Sequence, residues 1–418
     1  MHATWGAVTL VVASVLAGSV APTAAGAAGA TCAGLAPTVV GTSGDDELDG
    51  TTGPDVISAL GGNDVIDGLG GDDVICGGPG SDRLVGGDGN DHLLAGPVGR
   101  VPVFENEPER EGDTLVPGPG DDVVDLGPSA WPTDDYYPYD SLDLSGATTG
   151  VRVDLTAGTV SGEGEDRIVT PLPDPADGYA LEVVGSAYAD TMVGSPRPDL
   201  LVAGAGDDVL SGLGGDDFLL ETWDEGSDRS ADHFDGGLGD DSLQAADGLD
   251  TVLGGPGRDT IDDRGGVALM DGGPGRDFLW GYLTAQTSAI TGGPGRDDFA
   301  FNVAYVGGDR RPVGGALDLA SGTLVVRLRD APSWAASVTD VESVGLPGYG
   351  RWRFDGSAGN DVLRVGSARV VAHGKGGDDR LTGSRRDDVL VGGPGRDRVD
   401  GREGTDRCRG EREDHCER

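Results

Sequence analysis

From Gly41 the chain keeps a register of nine residues. The units GTSGDDELD, GTTGPDVIS, ALGGNDVID, GLGGDDVIC, GGPGSDRLV and GGDGNDHLL run from 41 to 94 without an insertion. Position 4 is Gly, position 6 is Asp and position 8 is Leu or Ile in every one of them. One such unit cannot bury an apolar face by itself, so neighbouring units must stack. The position-6 residues here are Asp46, Asp55, Asp64, Asp73, Asp82 and Asp91, and Asp113 and Asp122 mark two more units. A second block from Gly185 carries Asp190, Asp199, Asp208, Asp217, Asp232, Asp241, Asp250, Asp259, Asp277 and Asp297. A third from Gly356 carries Asp361, Asp379, Asp388, Asp397 and Asp406. Two units are degenerate: 263–271 has Ala268 and 365–373 has Val370 where Asp is expected.

Each column has a physical task. Gly at positions 1, 2 and 4 lets the backbone enter conformations closed to residues with a Cβ, so that carbonyls turn inward. Asp at position 6 adds a hard, charged oxygen beside them. Carbonyl and carboxylate oxygens without nitrogen or sulfur ligands favour Ca²⁺ over Mg²⁺, which demands tight octahedral geometry. The apolar position 8 sits on a strand of about three residues, and two half-turns close an 18-residue coil. The expected fold is all-β: a parallel β-roll or β-helix solenoid with irregular β spacers. A single Asp in such a setting reads as an ordinary turn residue; the in-phase columns carry the metal reading.

On these columns, and on fragments such as GGPGRDTID at 254, GGPGRDFLW at 272 and GGPGRDRVD at 392, the chain resembles the hemolysin-type calcium-binding (RTX) repeat family, with consensus GGxGxDxUx. The resemblance covers most of 41–409. It implies a parallel β-roll in which each ion lies between units n and n+2 on one side. Carried over by position, the ligands are the aspartates named above plus Gly carbonyls. Pairs such as Asp46 with Asp64 and Asp55 with Asp73 then give about a dozen ions. Many family members leave the cell by a C-terminal signal, whereas this chain has an N-terminal one, which counts against a toxin or a secreted protease of the usual type.

The expected organisation is a signal peptide at 1–30, an N-terminal cap at 31–40, and repeat blocks at 41–125, 185–300 and 356–409. Spacers at 126–184 and 301–355 separate the blocks, and 410–418 forms a C-terminal cap. The run Val8 to Ala17 is apolar and too short for a membrane span, and Ala28-Gly29-Ala30 fits a cleavage site. No later stretch of 18 apolar residues exists, so a secreted, extracellular protein is expected. Four cysteines agree: Cys408 and Cys416 are close enough for a clip, a Cys32–Cys76 pair is an expectation that leaves the connectivity open, and metal ligation by these thiols is the alternative.

The net charge of −43, from 73 acidic and 30 basic residues, argues against nucleic acid as a partner. On a chain with 77 Gly it also predicts an expanded state until Ca²⁺ closes the turns, so binding and folding are expected to be linked. Acidity is uneven: 351–418 is nearly neutral. That leaves two readings, a block held partly by Arg–Asp pairs with weaker calcium binding, or compositional drift.

The spacers share phrases. Leu142-Asp143-Leu144-Ser145-Gly146 resembles Leu317-Asp318-Leu319-Ala320-Ser321-Gly322, and Leu181 to Gly185 resembles Val341 to Gly345. Their alternation reads as strands that continue the stack. The loop Trp131 to Tyr139 clusters aromatics with carboxylates and suits either glycan contact or local packing; Arg100 to Glu111 reads as an exposed insertion.

A search for catalytic motifs is mostly negative. The histidines form no HExxH, no lipase elbow is present, and paired carboxylates are too common to be informative. The expectation is a non-enzymatic extracellular calcium-binding protein serving binding or adhesion, with an extracellular glycan or cell-surface component as partner. The alternatives are a polysaccharide lyase or epimerase, with Tyr136 or His233 as candidates, and a calcium buffer.

Overall fold

The structure is a computed structural model that describes residues 31–97, 112–127, 140–169, 181–221, 230–246, 248–264, 266–303, 312–329 and 332–416. The expected signal peptide, the insertion 100–111 and the loop 131–139 lie outside the described residues.

Each nine-residue unit forms one short strand centred on position 8, because only three residues separate one Gly-rich turn from the next. Successive strands fall alternately on two ladders. The first begins Val39–Val40, Val56–Ser58, Val74–Cys76, His92–Leu94 and Val123–Asp125. The second begins Glu47–Asp49, Val65–Asp67, Arg83–Val85 and Thr114–Val116. Pairing within the repeat units is parallel and joins residues 18 apart, as in Val56↔Val74 and Val65↔Arg83. Among the described residues the ladders hold 21 and 17 strands and no helix occurs. The chain is therefore an all-β parallel β-roll.

The core is a double file of position-8 side chains. Ile57, Ile66, Ile75, Leu84, Leu93, Leu115 and Val124 are fully buried, and the file runs on through Met192, Leu210, Phe234, Ile261, Leu279, Leu363 and Val399. Position 4 shows why glycine recurs: a Cβ on Gly257, Gly275 or Gly295 would overlap the carbonyl oxygen of the turn one coil earlier. The degenerate units stay in the stack. Val370 is buried and its N–H donates to Asp388 Oδ1 (2.7 Å), as a position-6 residue would, and Met270 keeps the core position of 263–271.

Both spacers insert the same device. In each, a three-stranded antiparallel meander enters the first ladder: Arg152–Asp154, Thr159–Ser161 and Glu165–Ile168, then Pro312–Asp318, Thr323–Leu328 and Trp334–Thr339. The last strand of each meander pairs with the preceding block and the first with the following block. The register corrects the expected match of phrases. Leu142 to Gly146 straddles a strand of the second ladder, so its likeness to Leu317 to Gly322 is not structural. The equivalent of Leu317-Asp318-Leu319-Ala320-Ser321-Gly322-Thr323-Leu324 is Val153-Asp154-Leu155-Thr156-Ala157-Gly158-Thr159-Val160. In both hairpins the Asp opposes the Thr, and Gly158 (φ +67°) and Gly322 (φ +63°) make the turn.

Disulfides join Cys32 to Cys76 and Cys408 to Cys416. The first ties the N-terminal segment to the second strand pair of the roll. The second closes the last coils, where Arg412–Asp414 extends the second ladder beside Arg398–Asp400.

Candidate metal centres

The 23 expected aspartates line the two turn edges of the roll and are linked to one another. In seventeen of them Oδ1 accepts a hydrogen bond from the backbone N–H of the aspartate one coil earlier; Asp46, Asp55, Asp190, Asp199, Asp361 and Asp388 do not. Examples are Asp64 to Asp82 (2.8 Å), Asp73 to Asp91 (2.9 Å), Asp217 to Asp241 (2.8 Å) and Asp379 to Asp397 (3.0 Å). A second ladder, which the repeat consensus does not show, runs in the opposite sense at position 5. There Asp45 Oδ1 accepts from Asn63 N–H, Asp72 from Asn90, Asp240 from Arg258 and Asp378 from Arg396. Successive turns are thus clamped twice.

The other carboxylate oxygen, Oδ2, divides the turns into two classes. In fourteen turns it is buried and has no hydrogen-bond donor: Asp64, Asp73, Asp82, Asp91, Asp113, Asp122, Asp208, Asp217, Asp241, Asp259, Asp277, Asp297, Asp379 and Asp397. Where position 1 of the turn is Gly, the oxygen lies against it; a Cβ on Gly236 would meet Asp241 Oδ2 at 2.5 Å. A buried, unpartnered carboxylate oxygen costs free energy unless a cation answers it. Burial pushes Asp113, Asp208 and Asp217 up to about 8, and Asp82, Asp122, Asp259 and Asp379 to about 7, with neighbouring aspartates adding to the effect. These oxygens therefore fit a hard cation. Among the described residues no three acidic, His or Cys side chains converge as a metal cluster, so an ion at these edges must take most of its ligands from carbonyls.

In six turns the same oxygen is already satisfied. The N–H of a position-2 Ser or Thr donates to it: Thr42 to Asp46, Thr51 to Asp55, Ser186 to Asp190, Ser195 to Asp199, Ser357 to Asp361 and Ser384 to Asp388. Hydroxyls add bonds in four of them, as in Thr51 to Asp55 (2.8 Å) and Ser186 to Asp190 (2.8 Å). For Asp55, burial pushes the carboxyl up, but the bonds from Thr38 and Thr51 outweigh it and hold the group below its ordinary value.

The cause of the division is the position-2 backbone. In the thirteen donor-free turns where that residue is described, its φ lies between +68° and +123°. Gly fills most of these positions; Leu60, Leu69, Leu213 and Lys375 adopt the same conformation despite its strain. There the N–H turns away from its own aspartate. Gly78, for example, donates to the Ala95 carbonyl and Gly237 to the Gly254 carbonyl, each one coil on. A Ser or Thr at position 2 keeps ordinary backbone and caps the aspartate, as in an ST turn.

Three expected aspartates stand apart from these two sets because of their neighbours. Asp232 Oδ2 accepts from Ser230 (3.2 Å). Asp250 Oδ2 is likewise buried without a donor, but its carboxyl is packed against Asp263, and burial first, then that carboxyl, pushes it to about 8. Asp406 accepts the Asp388 N–H (2.8 Å) at the end of the third block.

Four acids that the consensus missed continue the position-6 ladder into the spacers and the C-terminal segment. Asp140 accepts from Asp113, Asp166 from Asp122, Glu342 from Asp297 and Glu411 from Asp397. The signal was present for three of them: an acid two residues before a core apolar residue, as in Asp140-Ser-Leu142, Asp166-Arg-Ile168 and Glu342-Ser-Val344, without the flanking glycines.

In the near-neutral final region the ion pairs avoid the position-6 ladder. Arg353 pairs with Asp355, Lys375 with Asp318 (3.0 Å), Arg364 with Asp298 (3.3 Å) and Arg398 with Asp414 (3.4 Å). The enzyme candidate Tyr136 lies outside the described residues. His233 sits half-buried on His233–Asp235, level with Val209 and Thr251.

The family model described as RTX calcium-binding nonapeptide repeat (4 copies) matches residues 40–75, 77–97, 184–219, 228–261 and 373–408. No curated protein matches the chain.

Proposed function

Because the chain belongs to the RTX calcium-binding repeat family and is a calcium-binding β-roll, we propose that Ca²⁺ drives its folding in an extracellular setting, where the finished roll serves binding or adhesion rather than catalysis. The observation that carries this is the set of fourteen buried carboxylate oxygens without donors. Without a cation each opposes burial; with one, carboxylate and carbonyls are satisfied together, so binding free energy becomes folding free energy. Two disulfides fit an oxidising compartment, where millimolar Ca²⁺ suits weak sites. Among the described residues no helix is long and apolar enough to cross a membrane.

The two turn classes set the number and the order. Nine of the ladder bonds join two donor-free turns: 64–82, 82–113, 73–91, 91–122, 217–241, 241–259, 259–277, 277–297 and 379–397. About nine strong ions follow, rather than one for every aspartate pair. Capped turns open each block, Asp46 and Asp55, Asp190 and Asp199, and Asp361; the sixth, Asp388, follows the donor-free Asp379 on the other edge. Each block thus starts from turns closed by their own hydrogen bonds, against which ion-dependent coils stack.

The test is calorimetric Ca²⁺ titration of residues 31–418 with far-UV circular dichroism, and Mg²⁺ as control. A cooperative gain of β signal with Ca²⁺ alone, at about nine strong sites, is expected. A chain fully folded in chelator and indifferent to Ca²⁺ would sink the proposal.

A further inference from the structure

A row of arginines crosses the first ladder where the second spacer meets the third block. Arg327 opposes Gly314, Gly314 opposes Arg351, and Arg351 opposes Arg369, so one rung line reads Arg, Gly, Arg, Arg over four adjacent strands. At about 4.8 Å per strand the line is about 14 Å long. On the next turn the register brings Asp387 level with Arg369, and Arg386 stands one residue before it, its Nε donating to the Ser367 carbonyl (2.8 Å). With Arg329 and Tyr349 these residues line an open groove of about 920 Å³. Gly314 (φ +135°) keeps its middle free of a side chain.

The second ladder carries a comparable line, Arg380, Arg398 and Arg412, but there Asp414 pairs with Arg398 (3.4 Å) and Arg412 (3.6 Å). Like charges level with one another on adjacent strands repel. In a chain with 73 acidic and 30 basic residues, carboxylates are plentiful, and Arg353 two residues along has one in Asp355. Arg327, Arg329, Arg351 and Arg369 make no ion pair among the described residues. Asp387 is the single acid among the described lining residues, and its Oδ1 accepts the Thr405 N–H (3.0 Å).

The duplicated spacer supplies an internal comparison. Counted by the same register, Glu163, Gly150, Ala189 and Asp207 stand where Arg327, Gly314, Arg351 and Arg369 stand. The two glycines make the same close approach, Gly150 to the Ala189 carbonyl and Gly314 to the Arg351 carbonyl. The backbone device is therefore formed equally well with acids on those rungs, and the arginines are not a requirement of the fold.

We propose that this groove binds a linear anionic polysaccharide, its carboxylate or sulfate groups lying along the rod axis against successive arginines. Donors spaced in a line suit a polymer with regularly repeated charges; a single small oxyanion needs donors that converge on a point. A single-stranded nucleic acid would need aromatic platforms between the cations, and Tyr349, the one aromatic among the described lining residues, has its hydroxyl oxygen tied to the Val303 N–H (3.0 Å). Guanidinium forks match carboxylates and sulfates in two-point hydrogen bonds.

The experiment uses the full chain in saturating Ca²⁺, so that it is independent of the calcium proposal. Carboxymethyl-dextran and dextran sulfate are titrated by calorimetry at about 0.15 M salt, with neutral dextran as control. Binding of one or both anionic polymers, without neutral dextran, is expected, and the two polymers report which anion is preferred. Arg351→Ser and Arg369→Ser should each weaken binding about tenfold, and the double variant more than either. Arg83→Ser, at an arginine paired with Asp143 in the first block, should leave it unchanged. Unaltered circular dichroism shows that the variants fold. No binding by the parent, binding unaffected in the folded double variant, or binding only to another copy of the chain, seen as arginine-dependent self-association in sedimentation, would overturn the proposal.

Discussion

Exchanging a donor-free aspartate for Asn should have opposite effects with and without calcium. Asp217 is fully buried; its Oδ1 accepts the Asp199 N–H (2.7 Å) and its Oδ2 has no donor. Burial first, then Asp199 and Asp241, pushes its carboxyl from 3.8 to about 8. At pH 7, keeping the group protonated against its ordinary value costs up to about 4 kcal/mol. Water reaching the turn edge lowers this to about 2 kcal/mol. Asp217→Asn keeps the accepting oxygen and removes the charge, so in chelator the variant should retain more β structure by about that amount. In Ca²⁺ it loses a charged ligand, so it should bind about one ion fewer and unfold at lower urea. Asp190→Asn is the counterpart. Both Asp190 oxygens already accept, Oδ1 from Val151 N–H and Oδ2 from Ser186 N–H, so either orientation of the amide sets two donors face to face. It should destabilise by about 2 kcal/mol in both conditions. Urea unfolding followed by far-UV circular dichroism, in chelator and in saturating Ca²⁺, reads all four values. If Asp217→Asn destabilises in chelator as much as Asp190→Asn does, the division of turns is wrong.

Other consequences are as direct. Carboxyls raised by burial favour the fold while protonated, so in chelator the β signal should fall as pH rises from about 4 to 8, the span from the ordinary value to those of Asp113, Asp208 and Asp217. Over the same window Ca²⁺ affinity should rise and binding should release protons, both measurable by calorimetry in two buffers. Gly257→Ala forces a Cβ onto the Gly239 carbonyl and should cost about 3 kcal/mol or more in Ca²⁺-saturated urea unfolding, whereas Gly44→Ala, with open space around it, should cost far less. Replacing Cys32 and Cys76 by Ser opens a 44-residue loop and should lower stability by about 4 kcal/mol on the loop-closure estimate, with hydrogen exchange rising first around Val39–Val40. Leu213→Gly relieves a backbone at φ +70° and, because Leu213 is exposed, should stabilise by about 1 kcal/mol in the same urea assay.

Much of the site was legible because each column acts locally. Position 8 must be apolar to enter the core, and Ile57, Leu84 and Phe234 all do so. Position 6 must reach the turn edge, and it is followed without a break from Asp46 to Asp64 and from Asp55 to Asp73. What the consensus did not convey was the difference between Thr51, which caps Asp55, and Leu69, which leaves Asp73 Oδ2 without a donor. Both occupy a position written as Gly in the motif, and their effect depends on where one N–H points. Asp140, Asp166 and Glu342 were missed because the ladder needs only an acid at the right height, not the glycines around it.

The sequence by itself determined the period, the parallel stacking and the identity of the inner and edge columns, since a nine-residue repeat with fixed Gly, Asp and apolar positions has one economical way to bury its apolar file. Only the tertiary structure decided which spacer strands are equivalent, which carboxylate oxygens lack donors, and that Arg327, Arg351 and Arg369 share a rung line. Those facts depend on contacts between residues a coil or more apart, set by the register of an antiparallel meander and by backbone φ at a single position. No nine-residue pattern encodes them.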